Sequence, residues 1–176
     1  MIEGGIGGGN TRTGLIYEAK VDLKDFLCQQ RDYFVSGNNI YYQGQEVGQM
    51  FKKHDLYSKF LKPRGIDWRN NISAKLLPDN GIYVIANNTA YIIEVKTQRG
   101  NGSVDEKLQT CDFKKKQYQK LFFPLNIEVQ YIYILDDWFR HPRYKDVLDY
   151  IISVGCQYYF QYIPLQKLGL PVPPIE

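Results

Sequence analysis

The sequence has few of the residues that build disulfide frameworks, zinc centres or histidine-based active sites. It contains three cysteines and two histidines in 176 residues. Cys28, Cys111 and Cys156 are an odd set without the short paired spacing of a zinc site, so we expect reduced thiols in a cytoplasmic protein. His54 and His141 stand alone in the sequence. We interpret both as structural or surface residues.

Long apolar runs and a strong charge imbalance are also missing. No run approaches the ~20 apolar residues that a membrane span requires, and Met1–Gly5 lacks the basic and apolar pattern of a leader. The formal net charge of +3 is too small to indicate nucleic-acid binding. Only the distribution of the charged residues could indicate it. The length suits one domain with a real core. We expect this domain over residues 13–176, after a flexible glycine-rich segment over residues 1–12.

Two carboxylates and a lysine are embedded in the most apolar part of the chain. Asp79 precedes the run Ile82–Ala86, and the run Ala90–Ile93 leads directly into Glu94 and Lys96. Charges in such runs are costly to bury unless something pairs with them. Two neighbouring carboxylates repel each other, and a hard divalent cation relieves that repulsion. The pattern therefore predicts a metal-dependent active site.

A hairpin would bring these three charges together. Asn87-Asn88 suits a two-residue turn because asparagine tolerates positive φ. That turn places Asp79 opposite Lys96 and Gly81 opposite Glu94, with facing Cβ atoms ~5 Å apart, and the glycine leaves room there for an ion or a water. A four-residue loop shifts the pairing by two and keeps all three charges on one face. A three-residue loop does not, unless a bulge corrects it.

The same residues have a simpler interpretation as an exposed hairpin face with a solvated Glu94–Lys96 pair. A solvated face should alternate polar and apolar residues along each strand. Tyr83–Ile85 and Tyr91–Ile93 are instead apolar on both faces, which is typical of buried central strands. This pattern favours the active-site interpretation.

At these residues the chain resembles the PD-(D/E)xK nuclease superfamily, and more closely its type II restriction endonucleases. The resemblance spans Asn10 to Leu170. It is carried by Leu77-Pro78-Asp79, by Ile93-Glu94-Val95-Lys96 with Gln98, by Gly102–Lys107, and by Asn10–Gly14 leading to Tyr17-Glu18. It implies a restriction-endonuclease-like core with Mg²⁺ as cofactor.

Periodicity and capping signals predict the order of helices and strands. We expect a helix from Thr13 or Gly14 to Tyr33, a hairpin of Ile40–Tyr42 and Glu46–Val47, a helix over Gln49–Leu61, the apolar hairpin, a helix from Ser103 to Pro124, a strand over Ile127–Leu135, a helix over Tyr144–Val154 and a strand over Cys156–Ile163. Strands joined by a crossover helix run parallel. The fold class is therefore α/β (α+β mixed), a mixed β-sheet flanked by helices, in agreement with the resemblance.

The resemblance also implies roles for individual residues. Asp79 and Glu94 would hold Mg²⁺, and Lys96 would orient the attacking water or stabilise developing negative charge. Glu18, in the predicted first helix, would reach the metal site; alternatively it is an ordinary acid in a first turn, favoured there by the helix dipole. Gln98 would touch phosphate or water, or else be a solvated residue at a strand end.

Basic residues near this motif are candidates for DNA contacts. Lys114 and Lys116 would contact phosphates, which gives affinity without reading sequence, although such lysines are often just a solvated helix face. Base reading should come from side chains in nearby loops. The candidates, which the sequence does not rank, are Arg64, Arg69, Arg99, Arg140 and Arg143.

Together with these observations, the resemblance implies a type II restriction endonuclease that cleaves double-stranded DNA at specific sequences with Mg²⁺. We expect a homodimer on a short palindromic site, with a DNA methyltransferase as genetic partner in a bacterial cytoplasm. A repair or homing nuclease of the same fold is one alternative. A DNA-binding partner subunit that does not cut is another, although the intact Asp79, Glu94 and Lys96 argue against it.

Overall fold

A seven-stranded mixed sheet forms the centre of the protein. The computed structural model describes residues 16–18, 22–97 and 104–174. The strands are β1 Ile16–Glu18, β2 Tyr33–Ser36, β3 Asn39–Tyr42, β4 Gln45–Phe51, β5 Asn80–Val84, β6 Thr89–Lys96, β7 Glu128–Leu135, β8 Gln157–Phe160 and β9 Tyr162–Pro164. The main sheet has the order β2-β3-β4-β5-β6-β7-β8, and β1 pairs with β9 in a separate two-stranded sheet. The predicted mixed fold is confirmed.

Neighbouring strands from β2 to β6 are antiparallel, whereas β6, β7 and β8 are parallel to one another. The parallel strands are joined by helices, as expected for crossover connections. The helices are α1 Leu23–Cys28, α2 Val104–Leu108, α3 Cys111–Phe122 and α4 Lys145–Ser153, with a π-helix over Leu56–Leu61. In the described part of the chain, no helix has the length and apolarity needed to cross a bilayer.

Two apolar layers cover the opposite faces of the sheet, because successive side chains of a strand point to opposite sides. We call one the aromatic layer. It is rich in phenylalanine and tyrosine and includes Phe51, Tyr57, Phe60, Tyr118, Phe122, Tyr131 and Tyr133. We call the other the aliphatic layer, which includes Leu23, Leu27, Ile40, Ile82, Val84, Ile93, Ile132, Ile134, Leu165 and Leu168. The π-helix, α3 and α4 supply the first layer, and α1 and the C-terminal segment supply the second.

The predicted first helix is wrong over most of its length. Residues 16–18 form β1, and the helix covers only Leu23–Cys28. Asp22 begins it by accepting hydrogen bonds from the backbone N–H groups of Lys24 and Asp25, at 2.9 and 3.2 Å, so the helix cannot continue from the strand before it. Asp32 then has φ 66°, which turns the chain into β2. The segment 1–12, predicted to be flexible, lies outside the described residues.

The next two predicted helices also differ from the structure. Residues 49–51 belong to β4, since they pair with 81–83 of β5, and the helical part begins only at Leu56. The helix predicted up to Pro124 is divided into α2 and α3, and the Thr110 hydroxyl at the break donates to the carbonyl of Lys107 at 2.7 Å. The proposed cap, Ser103, lies outside the described residues.

The remaining elements largely match the sequence pattern. The β3–β4 hairpin, strand β7 and helix α4 occur where they were predicted. The last predicted strand is interrupted at Gln161, whose φ of 64° ends β8. Its continuation β9 leaves the main sheet and pairs with β1 instead.

Candidate active site

The hairpin that carries the predicted site is closed by a four-residue loop. Val84 pairs with Thr89, so the two-residue turn is wrong and the alternative with pairing shifted by two is found. Asn88 has φ 50°. Its side chain accepts a hydrogen bond from the Tyr83 hydroxyl at 2.9 Å and donates to the carbonyl of Asn126 at 2.7 Å. These contacts hold Asn88 inside a longer loop.

This register places Asp79 opposite Glu94, one position beyond the last ladder pair, Asn80 with Ile93. Oδ2 of Asp79 accepts a hydrogen bond from the backbone N–H of Val95 at 3.2 Å. The predicted convergence of Asp79, Glu94 and Lys96 is therefore found, with Glu94 rather than Lys96 facing the aspartate.

Gly81 does not have the role predicted for it. It pairs with Ile92 rather than Glu94. The Phe51 ring lies so close to Gly81 that it occupies the position a Cβ atom would take. The space beside this glycine is thus filled by an aromatic side chain, and any ion must lie closer to the carboxylates themselves.

Asp79 has a lysine partner that the sequence did not indicate. The Lys53 ammonium contacts Oδ1 of Asp79, and the backbone N–H of Lys53 donates to the carbonyl of Pro78 at 2.9 Å. Burial raises the pKa of Asp79, but the hydrogen bond and charge of Lys53 outweigh burial and hold the pKa below its ordinary value of 3.8. Only the pairing of β4 with β5 brings Lys53 here, so no motif spacing could have revealed it.

Glu94 is a buried carboxylate at the edge of the aromatic layer. The residue is 6 % exposed, and its Oε2 accepts a hydrogen bond from Nζ of Lys96 at 3.1 Å. Burial and the negative charge of Asp79 raise the pKa of Glu94 above its ordinary value of 4.5, while Lys96 and Lys114 act in the opposite direction. The ionised form of Glu94 therefore needs nearby positive charge.

Tyrosines of the aromatic layer lie close to Glu94. The Tyr118 and Tyr131 rings are 6.2 Å apart, and Tyr131 meets Tyr133 edge to face at 5.4 Å. Burial raises the pKa of Tyr118 and Tyr131, and the charge of Glu94 raises both further. The glutamate thus lies within electrostatic reach of rings from both α3 and β7.

The two predicted DNA-binding lysines on α3 occupy different surroundings. Lys114 is close enough to Glu94 to lower the pKa of that carboxyl. Lys116 instead pairs with Asp112 one turn earlier, with an N–O distance of 2.8 Å. The structure therefore associates Lys114, but not Lys116, with the candidate site.

The other predicted site residues do not add to the described geometry of the site. Glu18 is in strand β1, paired with Tyr162, rather than in a helix as predicted. Gln98 and Arg99 lie outside the described residues.

Arginines proposed to read bases already make protein contacts. Arg64 lies over the Phe60 ring at 3.8 Å, Arg69 pairs with Asp67 at 3.0 Å, Arg140 pairs with Asp137 at 2.6 Å, and Arg143 lies over the Tyr144 ring at 4.8 Å. These contacts do not indicate which of the arginines would read bases.

The donor set at this site fits Mg²⁺. Mg²⁺ prefers oxygen ligands, is held by one or two carboxylates and keeps several waters. In the described part of the chain no group of three or more His, Cys, Asp or Glu side chains is gathered as a metal site. Asp79 and Glu94 would be the carboxylate ligands, and a cation between them would offset the burial and the charge of Asp79 that raise the pKa of Glu94.

Comparison with known proteins does not assign the chain to a family. The chain matches no protein-family model, no curated protein and no solved structure. The function of Asp79, Glu94 and Lys96 is therefore inferred from the chemistry of the site that they form.

Proposed function

We propose that this protein is a Mg²⁺-dependent endonuclease that hydrolyses phosphodiester bonds in double-stranded DNA, of the type II restriction class. One observation carries the proposal. Asp79 and Glu94 face each other across the β5–β6 hairpin, and Lys96 contacts Glu94 at 3.1 Å on the same side of the sheet. Two carboxylates and an ammonium form a minimal site for metal-assisted attack of water on a phosphate.

Each protein group has a distinct role in this reaction. Mg²⁺, when bound by Asp79 and Glu94, lowers the pKa of water and screens charge on the phosphate. The Lys96 ammonium, oriented by Glu94, donates a hydrogen bond to the attacking water or to a phosphate oxygen that gains negative charge. Lys114 adds positive charge on the α3 side of the site, where the DNA backbone would lie.

Lys53 has a role before the cation binds. Its ammonium neutralises Asp79 in this structure, which keeps the carboxylate ionised and available as a ligand. With Mg²⁺ held by Asp79 and Glu94, the Lys53 ammonium would be available to a phosphate of the DNA.

The wider biological setting follows from this activity. A single site cuts one strand, so a homodimer on a palindromic sequence is the simplest arrangement that cuts both. A restriction enzyme requires a methyltransferase that protects the host DNA, and both would act in a bacterial cytoplasm. A repair or homing nuclease with the same site would cut rarely or at lesions.

A second function is favoured by a specific observation. Each carboxylate already has a lysine partner, Lys53 for Asp79 and Lys96 for Glu94, so the local charges are largely balanced without a cation. A nuclease-fold subunit that binds DNA without cutting it would have the same balance.

Incubation of the protein with a long natural DNA and Mg²⁺, followed by gel electrophoresis, separates these functions. Discrete bands support a restriction enzyme, a smear indicates a non-specific nuclease, and intact DNA that is retarded on a native gel supports the binding subunit. Excess chelator should abolish cleavage, Mg²⁺ or Mn²⁺ should restore it, and Ca²⁺ should support binding without efficient turnover. Glu128→Gln, which removes an exposed carboxylate from neighbouring β7, is the matched control for Glu94→Gln.

A further inference from the structure

A cavity lies between the π-helix and the irregular segment that leads to β5. Its volume is about 450 Å³, within the range of sites that bind small molecules. Tyr57 and Trp68 supply its aromatic wall, and Lys62, Arg69 and Lys75 supply positive charge. Nothing in the proposed hydrolysis uses these residues.

The Lys75 side chain covers the aromatic wall in this structure. Tyr57 and Trp68 pack edge to face, with centroids 6.3 Å apart and an interplanar angle of 75°. The Lys75 ammonium lies 4.9 Å from the Tyr57 centroid and 5.4 Å from the Trp68 centroid. A lysine over two rings shows that their electron-rich surfaces face the cavity. Its flexible side chain can move aside for a ring that stacks better.

The charge of the cavity selects an anion. Lys62 and Lys75 make no ion pair with a carboxylate in the part of the chain that the structure describes, whereas Arg69 pairs with Asp67 at 3.0 Å. Oδ1 of Asp67 also accepts the backbone N–H of Arg69, and this one carboxylate of the lining is outnumbered by Lys62, Arg69 and Lys75. An aromatic wall next to unpaired ammonium groups is complementary to a base joined to a phosphate.

Two short stretches of the chain connect the cavity to the segment that carries Asp79. The Tyr57 hydroxyl donates to the carbonyl of Leu76 at 2.7 Å and accepts from the backbone N–H of the same residue at 2.9 Å, which holds the segment that leads into Asp79. On the other side, the cavity residue His54 directly follows Lys53, the partner of Asp79. A DNA strand at the carboxylates would therefore pass close to this cavity.

We propose that the cavity binds one nucleotide of the DNA strand held at Asp79 and Glu94, with its base against Trp68 and Tyr57 and its phosphate against Lys62 and Lys75. This inference rests on the proposed function, because it takes the DNA strand from it. A base can enter the cavity only after it leaves the duplex stack, so the test uses single strands, and a base held there would report sequence or structure next to the cut site. A free mononucleotide has the same chemistry, so the test must separate the two sources.

Trp68 itself reports the contact. The chain has two tryptophans, so Trp138→Phe leaves Trp68 as the only indole, and Trp68→Phe leaves Trp138 as the matched control. Each protein is titrated in Ca²⁺ with a mixed-sequence single-stranded oligodeoxynucleotide, with an abasic oligomer of equal length, and with thymidine monophosphate. We expect the oligodeoxynucleotide to quench Trp68 but not Trp138, the abasic oligomer to bind without quenching, and the mononucleotide to quench only at far higher concentration.

Affinity variants complete the test. Trp68→Ala should weaken oligodeoxynucleotide binding about 10-fold, the scale of one lost stacking contact, while Trp68→Phe should retain most of it. Equal quenching by the abasic oligomer, no quenching by any ligand, or equally tight binding of the mononucleotide would overturn the proposal. Circular dichroism of each variant confirms that it is folded.

The outcome for the cavity can be separated from the outcome for the proposed function. The same variants are assayed for cleavage of long DNA with Mg²⁺. Quenching of Trp68 by the oligodeoxynucleotide without any cleavage of DNA would support nucleotide binding in the cavity and refute the proposed nuclease activity. Cleavage of DNA without quenching of Trp68 would refute nucleotide binding in the cavity and support the proposed nuclease activity.

Discussion

The aromatic and aliphatic layers cover the same sheet, yet the candidate site lies with only one of them. On β6, Ile92 and Glu94 point to the aromatic side and Ile93 points to the aliphatic side. The aromatic side offers tyrosines and surrounding lysines, and Glu94 lies there with Lys96 at 3.1 Å. The aliphatic side has leucine, isoleucine and valine packed against α1 and the C-terminal segment.

The difference shows how one strand can serve two purposes. Alternation lets Glu94 carry chemistry while its neighbour Ile93, completely buried, supports the backbone from behind. The two faces should therefore respond differently to mutation.

The largest contrast is expected between Glu94→Gln and Ile93→Ala. Glu94→Gln, Asp79→Ala and Lys96→Ala should each lower the cleavage rate ~10²-fold or more, the scale of a lost preorganised charge, while folding and DNA binding largely survive. Ile93→Ala should lower the free energy of unfolding by about 2–5 kcal/mol through the cavity it creates, with little change in cleavage per folded molecule. Cleavage rates and urea unfolding of both variants measure this. Normal cleavage by Glu94→Gln would refute the site assignment.

Mg²⁺ should stabilise the protein through the aromatic side alone. At a concentration 100 times its Kd, a ligand that binds only the folded state adds about 2.7 kcal/mol to the free energy of unfolding. Thermal unfolding with and without Mg²⁺ should show this gain in the wild type and in Glu128→Gln. The gain should disappear in Glu94→Gln, and an equal gain there would place the metal elsewhere.

The pH dependence of stability should separate the two carboxylates. The pKa of Glu94 is raised above 4.5 in the folded protein, so the folded state binds more protons and its stability falls as pH rises from about that value through the raised pKa. Glu94→Gln should remove this fall. The pKa of Asp79 is lowered below 3.8, so its contribution is present above 3.8 and is lost as pH falls through the lowered pKa. Urea unfolding across the acid range, with Lys53→Met to remove the second effect, tests both signs.

The smallest contrast is between two lysines of α3. Lys114→Ala should reduce the slope of log K against log salt by about 0.9, the value for one phosphate contact, without changing the preferred DNA site. Lys116→Ala should leave this slope unchanged, because Lys116 pairs with Asp112. DNA titrations over a range of salt concentrations distinguish them. A changed site preference in Lys114→Ala would mean that this lysine reads bases.

The features that were predictable from the sequence are those with local causes. The apolar runs around Tyr83 and Tyr91 indicated central strands, and the alternation along β6 placed Glu94 and Lys96 on one face. The asparagine pair located the turn but not its length, because the loop depends on the contact of Asn88 with Asn126, far along the chain.

Other features depend on contacts that a linear pattern does not contain. Lys53 reaches Asp79 only through the pairing of β4 with β5. The apolar stripe that includes Leu23 and Leu27 predicts a longer first helix, whereas Asp22 begins the helix in the structure and residues 16–18 pair with β9. Long-range strand pairing thus decided both cases.

The position of β6 between β5 and β7 has a consequence during synthesis of the chain. Its partner β5 is available at once, whereas the ladder partner of Thr89 on the other side is Glu128, about 40 residues later. At ribosomal rates that delay is about 2–8 s. Throughout it, β6 is an uncovered edge strand whose Tyr91–Ile93 run is apolar on both faces, the kind of segment that pairs with other chains. The strand that positions Glu94 is therefore also a segment of the nascent chain that is exposed to pairing with other chains until β7 has been made.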